Sequence, residues 1–159
     1  MDIAGTVAVW VHALSTVVVL GYYGILGRVI LPALRKTLEG PALGRAVVAV
    51  ERQAVPLVVL SVILFTVSGG YLLLVDDQFV GIGRYFESSW STLMLIKHLL
   101  VAVMIAGGVG VHLLAGEVGD PDIDETGRDR WLGYLRLAAE AMTGLGALIL
   151  LLTAAAQVG

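Results

Sequence analysis

The chain has 159 residues, of which 58% are hydrophobic and only 14% charged, and its mean hydropathy is +0.91. Soluble domains are nearer half apolar and a quarter charged, so this composition points to a membrane protein. The absence of cysteine excludes disulfides, thiolate metal sites, iron–sulfur ligation and covalent haem attachment, and a net charge of −3 leaves no electrostatic footprint for nucleic acid.

The first apolar stretch runs from about Ile3 to Leu31. Asp2 stands where a secretory leader carries bases, and the run is too long for a leader, so it is read as a retained first span. A bilayer core of about 30 Å needs about 20 apolar residues in a helix, and this stretch and three later ones meet that length. At 100° per residue, Ser15, Thr16 and Tyr23 fall within about 60° of His12. Such a stripe is expected to face a bundle rather than lipid, although Ser15 and Thr16 can instead bond their own helix backbone.

Residues 32–53 hold Arg35, Lys36, Arg45 and Arg52, with Arg28 just before them. Segment 36–52 is read as a short helix lying on the membrane surface. The second span, Ala54–Val75, ends in Gly69, Gly70 and Tyr71, and the connection 76–90 carries Arg84 as its only base. The third span, Ser91–Ala115, brings Met94, Lys97 and His98 into its first turns and His112 near its end. The connection 116–130 is acidic but holds Arg128 and Arg130, with Arg136 following; in the fourth span, Trp131–Ala156, Glu140 stands one turn after Arg136 and is expected to pair with it.

Eight of the ten bases thus flank the first and third connections, which places both termini and the 76–90 connection outside. Trp10, Trp90 and Trp131 sit near span ends, as interfacial anchors do. Short connections between sequential spans favour an up-down four-helix bundle, an all-α integral membrane fold with no soluble domain and no internal repeat. Its many glycines (Gly21, Gly24, Gly69, Gly70, Gly107, Gly108, Gly144 and Gly146) suit close helix packing.

This topology sets depths. At 1.5 Å per residue His12 and His98 both lie about 10 Å below the outer surface, and Gly69–Tyr71 come to nearly the same level. Two imidazoles on different helices beside a glycine pair are the makings of a cofactor pocket in a bundle. The leading expectation is a b-type haem with His12 and His98 as axial ligands, Gly69 and Gly70 making room beside Tyr71, and Lys97 as cationic partner of a propionate, serving electron transfer or the oxidation of a porphyrin or quinone-like substrate. Lys97 can alternatively snorkel to the nearby interface. His12, Met94 and His98 are also a soft nitrogen–sulfur set that suits copper. His112 lies about 21 Å along the third span from His98, on roughly the same face; it is either part of a second stacked site or an interfacial, hydrogen-bonded histidine. A cofactor-free subunit of a membrane complex stays open as a third class. The partners expected are the bilayer of the bacterial cytoplasmic membrane, a redox partner or larger complex, and, as a further option, a second copy of the chain.

The order of His12 and Arg28, then Glu51, Arg52, Pro56, Gly69 and Gly70, then Trp90, Ile96 and Lys97 resembles the superfamily of small membrane proteins that includes CopD-like copper-resistance domains and HemJ-type protoporphyrinogen oxidases. The resemblance covers roughly residues 7–115. The HemJ-type members imply a haem-associated four-helix protein in which His12 and Lys97 are the functional pair, with Lys97 taking part in catalysis. The CopD-type members imply copper handling across the inner membrane. The chain departs from both in placing His98 directly after the lysine, and from the HemJ type in its late His112 and its acidic third connection. These departures bear on porphyrinogen oxidation more than on haem binding.

Overall fold

The computed structural model describes residues 2–79, 81, 84, 86 and 89–158, and no strand occurs among them. The first long helix is α1 (Ile3–Ile25), continued through a π-helical turn (Leu26–Ile30) into α2 (Leu31–Thr37). Asp2 caps α1 by accepting from the amides of Ala4 and Gly5, which accounts for the acid at this position. The wide turn has a local cause. Pro32 cannot donate to the helical ladder, and just before it the Leu31 amide bonds back five residues to Leu26.

Then follow α3 (Gly40–Leu74), α4 (Ser89–Gly119) and α5 (Glu125–Val158). Residues 40–52 do not form a separate surface helix. They are the first turns of α3, which runs unbroken through Pro56. The other helices likewise run past the expected spans, since hydropathy ends where charge begins but backbone hydrogen bonding does not. Four helices, Ile3–Thr37, Gly40–Leu74, Ser89–Gly119 and Glu125–Ala155, are long and apolar enough to cross a membrane.

The helices form an antiparallel ring. His12 meets Ser68 and Tyr22 meets Glu51 across α1 and α3; His112 meets Glu51 across α4 and α3; and between the first helix and α5, Gly24 and Gly27 of the first meet Thr143 and Ala139, while Gly146 of α5 meets Leu20. Both chain ends therefore lie at one end of the bundle, called here the termini end; the other, with the 38–39 and 120–124 connections, is the basic end. The outward faces are apolar, with Leu57, Leu60, Val67, Leu99, Val103, Leu113, Leu137 and Leu151 all exposed. An apolar outer surface of this extent is compatible with a multi-pass membrane protein.

The core is heaviest at the basic end, where Leu26, Leu31, Leu43, Val47, Val111, Val118, Leu132 and Leu135 are buried together. Arg128 is buried there, yet it is not isolated: it donates to the carbonyl oxygens of Val118 (3.2 Å) and Asp120 (2.9 Å). A guanidinium on carbonyls in the last turn of α4 and just beyond it satisfies orphan acceptors and complements the helix dipole. Asp124 caps α5 through the Gly127 amide, and Asp120 accepts from the Asp122 amide, so acids of the third connection serve local backbone bonds. Helix α3 buries a seam at alternating steps of three and four, Gly44, Val47, Glu51, Ala54, Val58, Ser61, Phe65 and Ser68, all buried or half-buried. That period keeps one face toward the ring.

Candidate functional site

At the termini end, His12 is held against α3. Its Nδ1 lies 3.1 Å from the Phe65 carbonyl oxygen and 3.2 Å from Ser68 Oγ, and its ring stacks on Phe65 with centroids 4.2 Å apart. The carbonyl accepts only, so the proton sits on Nδ1 and Nε2 carries the lone pair. Ser68 in turn donates to the Leu64 carbonyl at 2.6 Å. Thr16 donates to the His12 carbonyl at 2.8 Å, the self-helix bond open to it from sequence.

Gly69 is at the level expected, but its room is taken by the imidazole itself: a Cβ there would lie 2.9 Å from His12 Cε1. The space beside Gly70 is open. Tyr71, a turn-end neighbour, is exposed.

On α4 the two adjacent polar residues take different places. Lys97 is half-buried and makes no hydrogen bond or ion pair among the described residues, whereas His98 is exposed. Its Nδ1 lies 2.6 Å from the Met94 carbonyl oxygen, which again puts the proton on Nδ1 and leaves Nε2 as acceptor. The Met94 side chain is buried. Among the described residues no three His, Asp or Glu side chains gather as a metal set. Below His12 an apolar cleft opens between the helices, lined by Thr16, Leu20, Val62, Phe65, Met104 and Ile149 among others.

His112 does not join this group. It belongs to a second polar cluster toward the basic end, centred on Glu51. The Glu51 carboxylate is buried, accepts a hydrogen bond from the Tyr22 hydroxyl, and lies 3.5 Å from His112 Nδ1. Tyr23 packs edge-on against Tyr22, and its hydroxyl occupies the space that Gly108 leaves, where a Cβ would come within 2.7 Å. The expected Arg136–Glu140 pair is present at 2.9 Å.

Sequence reasoning missed Glu51 as a site residue. Its neighbour Arg52 and the three other bases of residues 32–53 make it look like one charge of a polar connection. The signal that locates it is the three–four seam of α3, on which Glu51 falls in register between Val47 and Ala54 while exposed Arg52 falls outside.

Comparison of the chain with protein-family models, with curated proteins and with solved structures finds no match.

Proposed function

We propose that this chain is a multi-pass protein of the bacterial cytoplasmic membrane that binds haem b at its termini end and carries electrons. With the excess of bases at the other end, the positive-inside rule puts both termini outside. The observation that carries the reading is the state of His12. Its Nδ1–H is tied to a main-chain carbonyl of α3, and its Nε2 is free of hydrogen bonds among the described residues. An imidazole whose second nitrogen is fixed in this way is the usual haem-ligating form. His98 has the same tautomer on α4.

The donor set fits the group. His12 would hold the group through Nε2, exposed His98 would have to turn inward to supply a second nitrogen, and half-buried Lys97 would supply a cation for a propionate. The open side of Gly70 can border the ring edge, while Gly69 serves the ligand's own packing. The haem, when bound, supplies one-electron chemistry; the chain holds it, orients the imidazole through Phe65 and Ser68, and keeps water away with Phe65 and the cleft-lining aliphatic residues. Partners are the bilayer and a redox protein or larger membrane complex.

The test is the visible spectrum of the purified protein together with metal analysis. A Soret band that is lost in His12→Ala and shifted in His98→Ala supports the proposal. Bound copper without porphyrin replaces haem with a copper site at His12, Met94 and His98. Colourless, metal-free protein that tolerates alanine at His12 and Lys97 overturns both.

A further inference from the structure

The cluster of Tyr22, Glu51 and His112 serves no part of the haem reading, and it is not explained by packing. A buried carboxylate within an apolar bundle is expensive and is functional by default. Here the carboxylate has one partner inside, the Tyr22 hydroxyl, and one facing out, His112. The His112 side chain is 59% exposed while that of Glu51 is 7% exposed, so the imidazole is the only member the surroundings reach freely.

The level of the cluster decides what those surroundings are. On α1 the next charged residue toward the basic end after Tyr22 is Arg28, on α3 the one beyond Glu51 is Arg45, and on α4 the one after His112 is Glu117. Each is five or six residues away, about 8–9 Å at 1.5 Å per residue. Arg52, beside Glu51, points away from the seam and has a stem long enough to reach the same rim. On α5 the nearby carboxylate, Glu140, is already paired with Arg136. With the four helices in a bilayer, His112 therefore faces the acyl region just beneath the headgroups. Exposed Val109 and Leu113 adjoin it on α4, and open space beside Gly116, one turn on, leaves that side of the imidazole unroofed.

Nδ1 is the ring nitrogen beside the Glu51 carboxylate, 3.5 Å away, and a proton on it leaves Nε2 of the exposed ring as an acceptor. It calls for a hydrogen-bond donor that dissolves in lipid. An acyl chain has none, and a phosphate group is an anion with no proton to offer beside a carboxylate. A phenolic O–H at the end of an apolar tail meets each condition. We propose that Tyr22, Glu51 and His112 form a binding and proton-accepting site for the hydroquinone headgroup of a membrane-dissolved isoprenoid quinone. The phenolic O–H donates to His112 Nε2. Transfer of that proton breaks the O–H bond and forms N–H, leaving a phenolate and an imidazolium paired with the Glu51 carboxylate; no electron moves in this step. Tyr22 holds the carboxylate in place from behind and is a positioning residue. The inference rests on the bilayer placement of the helices and is independent of the cofactor at the termini end.

The chain has only three histidines, so ring-nitrogen resonances of protein labelled with ¹⁵N-histidine, in lipid nanodiscs, report each site separately. Adding a decyl-substituted benzohydroquinone under reducing conditions should move the His112 resonances saturably and leave those of His12 and His98 in place. Glu51→Gln should weaken the apparent affinity at least about tenfold, and Tyr22→Phe less. His112→Phe, a change at an exposed position that the fold tolerates, should abolish saturation transfer from protein to the hydroquinone ring protons. No saturable change at His112, an equal change with decanol, equal binding of the oxidised quinone, or retained transfer in His112→Phe would each overturn the proposal. Because the Soret band reads the other end of the bundle, failure here and failure of the haem reading are told apart.

Discussion

At the basic end the bundle buries leucines and valines around two ionic groups, Arg128 and Glu51, whose partners are all present. At the termini end it buries Ser15, Ser68, Ser91 and Met94, and Lys97 stands half-buried with no hydrogen bond or ion pair among the described residues. Both ends contain a histidine hydrogen-bonded or ion-paired through Nδ1, so chemistry alone does not separate them. Packing does. Dense apolar contact fixes the basic end, while small polar side chains leave the termini end less tightly packed.

Variants at matched positions test this difference. The largest effect is expected at Arg128: removing a buried guanidinium that makes two charged hydrogen bonds, at about 1.5–3 kcal/mol each, should cost roughly 3 kcal/mol in an unfolding titration with dodecyl sulfate. Lys97→Ala should change stability by no more than about 0.5 kcal/mol, because no bond is lost. Equal losses at the two ends would break the comparison. Next comes the α1–α5 contact midway. A Cβ on Gly146 would lie 1.7 Å from Leu20 Cδ2, so Gly146→Ala should cost about 2 kcal/mol through overpacking. Gly70→Ala, with nothing within 4 Å of its Cβ, should instead gain up to about 1 kcal/mol from helix propensity, read in the same titration.

Gly69→Ala should cost about 1 kcal/mol, yet displace the His12 ring and so alter or remove the Soret band. A normal spectrum in that variant would show that the ring's seat against α3 does not matter to the cofactor. The smallest effect is expected from Ser68→Ala, about 0.5 kcal/mol, since the Phe65 carbonyl still holds Nδ1.

Much of this architecture was legible in the sequence. Four apolar stretches and their connections led to the four helices and their up-down order, and simple counting of helical rise brought His12 to the level of Gly69. What counting could not supply was rotation between helices. Lys97 and His98 differ by one residue, and only the packing of α4 against its neighbours decides that the lysine turns partly inward and the histidine outward. Glycines posed the same difficulty. Gly69, expected to make room for a ring from outside, makes room for His12; Gly108 makes room for a tyrosine hydroxyl. A missing side chain shows where something fits, not what fits there.

The π turn at Leu26–Ile30 has a consequence for how this chain tolerates change in length. It amounts to one residue more than a regular helix needs, and it sets back everything after it by about 100°, one residue's rotation. Deleting one residue between 26 and 30 should therefore restore regular winding while leaving Leu31 buried and Arg35 beside Asp129, which it meets at 3.0 Å. The same shortening elsewhere in α1 would turn α2 by about 100° and unlock it from the basic end, whereas here the helix already carries the residue it can lose.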